Sequence, residues 1–114
     1  MKPIAIVFPV LPGKTEKARE FFKSFKTKHA KELAAAEKRS KVTKEAMFLQ
    51  TTPRGDIIID YFECANPQKV AEDLAKSKDK FSVWMKNEIK DFTGIDMNVV
   101  SGAPLPEQLL LFGF

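Results

Sequence analysis

One histidine, one cysteine and a few polar residues set among apolar ones are the side chains with which this chain could do chemistry. His29 lies one helical turn after Phe25 and one before Leu33, on the apolar side of a helical pattern. A neutral imidazole there could act as a general base at a pocket rim or as an axial ligand. Its plainer role is a half-buried histidine bonded to backbone. Gln50 and Asp60 interrupt two otherwise apolar runs. A three-residue loop, Pro53 to Gly55, would put them on one face of a hairpin, and a four-residue loop would put them on opposite faces. An Asp enclosed by apolar neighbours has a raised pKa suited to proton transfer, so Asp60 and His29 are the candidate catalytic residues. The competing role for Asp60 is an ion pair with a lysine or arginine.

Four residues are candidates for holding a substrate. Tyr61 and Trp84 could bracket a flat molecule or polarise an oxygen through O–H and N–H donors, Gln50 could position it, and Arg39 could meet an anionic group. Cys64 has no adjacent base and reads as a small core residue. One His and one Cys make no zinc site, so neither a metal nor a cofactor is expected.

The elements that must carry these residues centre on Ala46–Cys64. Two runs rich in aromatic and β-branched residues flank Pro53-Arg54-Gly55-Asp56, which predicts a β-hairpin with strands Ala46–Thr52 and Asp56–Cys64. The second is apolar on both faces except at Asp60, as in a central strand, and the first suits an edge. Ile4–Phe8, also apolar on both faces, predicts a strand inside the sheet. Thr15 is a plausible N-cap for one long helix whose apolar face carries Ala18, Phe21, Phe22, Phe25, His29, Leu33 and Ala36. Asn66-Pro67 opens a second helical layer, broken at Ser77-Lys78-Asp79 and stopped by Gly94, with Ile95 as the contact that often accompanies such a stop. Leu109–Phe112 is a last apolar run, expected to add a fourth strand to its own sheet or to dock on a partner.

The 114 residues, 44% hydrophobic, make one domain, residues 1–114. A charge of +4 gives weak attraction to polyanions without selecting one. The lysines of the first helix are interspersed with Glu16, Glu20, Glu32 and Glu37 and carry no aromatic platform, so nucleic acid is not an expected partner. No apolar run approaches a membrane span or a secretory leader, and the lone cysteine points to no oxidising compartment; a cytoplasmic protein is expected.

The order β-α-β-β-α(α)-β is the α+β, ferredoxin-like pattern with a four-stranded antiparallel sheet. Helices on one face leave the other bare, and two such sheets packed face to face would cover both. In this the chain resembles the dimeric α+β barrel superfamily. Val42-Thr43-Lys44-Glu45, Phe48-Leu49-Gln50, Thr52-Pro53-Arg54-Gly55-Asp56, Tyr61-Phe62-Glu63, Asn66-Pro67 and Phe81-Ser82-Val83-Trp84-Met85 resemble, more locally, an uncharacterised family of small bacterial proteins. The resemblance implies a homodimer with a pocket between sheet and helices. Superfamily members include cofactor-independent monooxygenases of the antibiotic-biosynthesis type, haem-degrading enzymes, lactone isomerases and stress-induced barrels. A cofactor-free oxygenase or isomerase acting on a small apolar organic compound is therefore one expectation. A ligand-binding or stress-associated barrel without catalysis is another, and a structural dimer whose basic helix meets an anionic partner is a third. Haem degradation is disfavoured because His29, its only possible axial histidine, sits on a face that packs inward.

Overall fold

The computed structural model describes residues 1–114 as β1 (Lys2–Pro9), α1 (Thr15–Ser24), α2 (Ala30–Arg39), β2 (Val42–Thr52), β3 (Gly55–Cys64), α3 (Pro67–Lys76) and α4 (Lys80–Thr93). The strands form one antiparallel sheet in the order β1-β3-β2. The fold is α+β, with all four helices beside a three-stranded sheet.

Three expectations need correction. First, β1 is an edge strand: it pairs only with β3, and no strand forms after α4. Its two apolar faces reflect a sheet whose second face is bare, rather than neighbours on both sides. Second, the long helix is two. The Ser24 hydroxyl donates to the Phe21 carbonyl, the Thr27 hydroxyl reaches the Lys23 and Ser24 carbonyls, and the Phe25 amide bonds Phe22 instead of residue 21. Side-chain hydroxyls competing for helix carbonyls explain the break at Phe25–His29. Third, Thr15 does not cap α1. Lys14 occupies the cap position without a side-chain bond to the helix amides, and the Thr15 hydroxyl instead donates to Asp56 Oδ2 at 2.6 Å, tying α1 to the hairpin.

The hairpin register sets the two sheet faces. Thr52 pairs with Gly55, so the turn holds only Pro53 and Arg54, with Gly55 at φ +120°. β2 also starts earlier than the sequence predicts, at Val42, with an irregularity between Val42 and Lys44. Facing the helices are the rows Ile4–Phe62–Glu45, Ile6–Asp60–Met47 and Phe8–Ile58–Leu49. On the other face lie Ala5–Tyr61–Ala46, Val7–Ile59–Phe48 and Pro9–Ile57–Gln50. No helix crosses this second face: Val7 and Phe48 are each 58% exposed at its centre.

The core lies between the sheet and α1/α4. Val10, Ala18, Phe21, Ile58 and Phe92 are buried together, and Phe22, Phe25 and Trp84 pack against them. Phe21 meets Phe25 edge-on at 4.8 Å and stacks on Trp84 at 5.3 Å, geometries that add to area burial. Lys17 bridges Glu88 and Asp91 while Lys14 reaches Asp91, so part of the cationic face of α1 is spent on α4.

The second layer follows its sequence signals. Asn66 Oδ1 accepts the Lys69 amide ahead of Pro67 at the first turn of α3. Asp79 accepts the Ser82 amide and opens α4. Gly94 ends α4 at φ +80°, and the Leu11 amide donates to the Phe92 carbonyl, holding the end of α4 beside the end of β1. The space over Gly94 is taken by Leu11.

Candidate functional site

Asp60 is the polar residue that the fold cannot ignore. Its neighbours across the ladder are Ile6 and Met47, and along β3 its own face carries Ile58 and Phe62. It is 6% exposed, and its Oδ1 has no hydrogen-bond partner. Burial therefore pushes its pKa up, to about 6.

Two further carboxyl groups meet it under α2. Glu45 follows the period of β2 that also turns Met47 and Leu49 to the helix side, and Glu37 comes down from α2, which packs on β2. Glu45 is exposed as a residue at the sheet edge, while its carboxyl is crowded by those of Glu37 and Asp60. Burial is the largest cause in each case: it raises Glu45 to about 8, helped by Asp60 beside it, and Glu37 to about 9, helped by Glu45 beside it. Three carboxyls crowded together in this way keep protons at neutral pH that free carboxyls release.

Glu37 also lines a groove of about 380 Å³ between α2 and the α3–α4 layer. Val70, Leu74 and Met85 give it an apolar wall, and Arg39 and Lys76 bring two cations to it. Arg39 is therefore where an anionic group could be met. No group of three His, Cys, Asp or Glu side chains is arranged to hold a metal ion.

The other sequence candidates lie elsewhere. Gln50 and Asp60 are on opposite faces, because a two-residue turn shifts the pairing by one from the three-residue case. The Gln50 amide donates to the Thr51 carbonyl at the exposed edge. Tyr61 lies on the bare face, its hydroxyl donating to Glu63 Oε2 at 2.7 Å. His29 occupies the turn before α2, with Nδ1 2.7 Å from Glu32 Oε1 and its ring 4.2 Å from that of Trp84. Trp84 belongs to the aromatic core and borders a separate, polar groove beside Lys17, Lys23 and Glu88. So Asp60 and Arg39 attach to one site, and His29, Gln50, Tyr61 and Trp84 do not.

Sequence reasoning missed Glu37 and Glu45. The alternation Glu45, Met47, Leu49 was the available signal for one; the spacing Leu33, Ala36, Glu37, Ser40 on one side of α2 was the signal for the other.

Among known proteins, no curated protein and no solved structure matches the chain. The profile of a family of unknown function, DUF6176, matches residues 1–100. That span covers most of the chain, which belongs to this family.

Proposed function

We propose that this protein is a small-molecule enzyme of the proton-transferring, isomerase type, working as a homodimer. The observation that carries the reading is the buried Asp60 at the inner end of a three-carboxyl relay whose outer end, Glu37, lines a groove. Protons shared among three carboxyls let Glu37 face the groove as an acid when it holds one on its outer oxygen. With the protons moved inward to Glu45 and Asp60, the same Glu37 faces it as a base. A 1,3-proton shift needs both forms in turn, and no electrons leave the substrate. A carboxylate base of this strength removes only an activated C–H. The fitting substrate is a small, largely apolar compound with an acidic C–H next to a carbonyl group, its polar end toward Arg39.

Cofactor-free oxygenation, the companion expectation from the sequence, draws less support, because Trp84 and Tyr61 are both removed from the carboxyls. The dimer is supported by the row Val7–Ile59–Phe48, which leaves large apolar side chains in water on a single chain.

The test is deuterium wash-in from D2O, followed by NMR, on a panel of small cyclic enones and unsaturated lactones. The wild-type chain is expected to exchange the activated position of at least one compound, and Glu37→Gln to lose ~100-fold or more of that rate. No exchange across the panel, or equal exchange by Glu37→Gln, overturns the assignment.

A further inference from the structure

The segment after α4 ends in an apolar run that joins no strand and stands in water: Leu109, Leu110 and Phe112 are 87%, 83% and 88% exposed. The sheet has a matching vacancy. β1 is paired on one side only, and between Pro3 and Pro9 its free edge, Ile4–Phe8, carries neither a proline nor a charge. The other edge, β2, is blunted by Lys44, Glu45 and the irregularity beside Val42. An unblunted edge is a template for another strand.

We propose that Leu109–Phe112 of one chain lies along the free edge of β1 in a second copy, completing a four-stranded sheet by exchange. Connection length argues for the second copy. α4 ends beside the end of β1, through the bond from the Leu11 amide to the Phe92 carbonyl. A strand meant for the chain's own β1 could start there after a short turn, since most connections in compact domains take ~4–6 residues. Instead Leu109 lies 15 positions beyond Gly94, on a path that turns at Asp96–Val99, holds Pro104 and Pro106 and joins no strand of its own chain. A connection of that length is far more than a return to the neighbouring end of β1 needs, and it gives the run the reach to a second copy. The β1 edge also adjoins the bare face on which the proposed dimer rests, so the exchanged strand would extend that same interface.

This inference rests on the dimer reading, and its test separates the two. Sedimentation equilibrium gives the oligomeric state of the full chain and of Leu110→Lys, and isotope-filtered NOESY on a mixture of 15N-labelled and 13C-labelled chains reads which chain the segment touches. The expected result is a dimer with interchain contacts between Ile4–Phe8 and Leu109–Phe112, its dissociation constant weakened at least tenfold by Leu110→Lys. A dimer whose Leu109–Phe112 contacts are only within one chain, or absent, overturns the exchange and leaves the dimer standing. A monomeric full chain overturns both.

Discussion

Glu45 on β2 stands diagonally across the ladder from Asp60 on β3: Asp60 pairs with Met47 and Glu45 pairs with Phe62, both on the face beneath α2. Diagonal neighbours of this kind lie within reach of long side chains, which is why a glutamate meets the shorter aspartate here. Stability should therefore depend on pH in an uncommon direction. Each of Glu37, Glu45 and Asp60 has a raised pKa, so the folded chain binds protons that the unfolded chain releases. Where the folded state holds more protons, stability falls as pH rises. The fall begins near pH 4, where the unfolded carboxyls ionise, and continues to about 9, the value for Glu37. Below pH 4 the opposite applies, because Asp79, Asp91 and Asp96 are held below the ordinary range by hydrogen bonds to Ser82, to Lys17 and Lys14, and to Asn98. Melting temperature should peak near pH 4 and decline toward pH 9. A profile that rises from pH 5 to 8 would show that the trio is not protonated in the fold.

Asp60→Asn removes the buried carboxyl charge at a position where one oxygen has no hydrogen-bond partner. At pH 8 it should gain on the order of 2 kcal/mol over the wild type, since a two-unit pKa displacement is worth about that much or slightly more. At pH 2.5, below both the folded and the ordinary unfolded pKa of Asp60, the carboxyl is neutral in either state and the gain should vanish. Urea titrations at the two pH values measure the difference, and an equal effect at both would make the substitution a packing change. If Asp60 serves the relay, the same variant should also lose deuterium wash-in at every pH.

Lys86 is 2% exposed, and its ammonium donates to the carbonyls of Leu74 and Ser77 at 2.9 Å and of Ala75 at 3.4 Å. These lie at the end of α3, where only the Leu74 carbonyl among the three also receives a backbone amide, that of Ser77, so a lysine from α4 serves as a C-cap. Lys86→Ala leaves three carbonyls and a cavity behind it. A cost of ~3 kcal/mol, or roughly 10 °C in melting temperature, is expected from thermal denaturation. Lys86→Arg should restore part of it, and a melting temperature unchanged in Lys86→Ala would mean that water replaces the ammonium at no cost.

The hairpin, the caps at Asn66 and Gly94 and the helix break at Ser77–Asp79 were legible because each rests on local chemistry that a few neighbouring residues dictate. The break at Phe25–His29 was hidden by a stripe that runs unbroken through it; the competing hydroxyls of Ser24 and Thr27 decide it. Edge and centre could not be separated for Ile4–Phe8, since a strand under an uncovered face is as apolar as a strand between neighbours. The site was half legible for a related reason. Asp60 declared itself as a charge in an apolar run, but Glu37 and Glu45 sit in polar stretches where a glutamate is unremarked. Only the parity of a two-residue turn, undecidable from Thr-Pro-Arg-Gly-Asp, brings Glu45 rather than Gln50 to its side.

Gly94 joins the two ends of the fold. Its φ of +80° is costly for any residue with a Cβ, and an added Cβ would meet both methyl carbons of Leu11 at 3.7 Å, an ordinary contact. The penalty in Gly94→Ala is thus conformational and not steric, about 1–2 kcal/mol. Gly94→Asn, which tolerates the left-handed region, should cost less than Gly94→Ala. Equal losses in chemical denaturation would point to crowding at Leu11 instead.

Phe48 tests the dimer from the sheet side. It is 58% exposed in the row Val7–Ile59–Phe48, so within one chain it contributes little to stability. Substitution at so exposed a position usually changes monomer stability by no more than about 0.5 kcal/mol. Between two copies the same residue would be enclosed, and Phe48→Lys would bring a charge into each half of an apolar interface, where an unpaired charge is strongly unfavourable. Light scattering should therefore show Phe48→Lys as a folded monomer at concentrations where the wild type is dimeric. The control is Arg54→Glu, an exposed residue of the turn at the sheet's end, which should leave the dimer intact. A Phe48→Lys chain that stays dimeric would place the interface elsewhere, and a wild-type monomer would leave the bare face to a different protein.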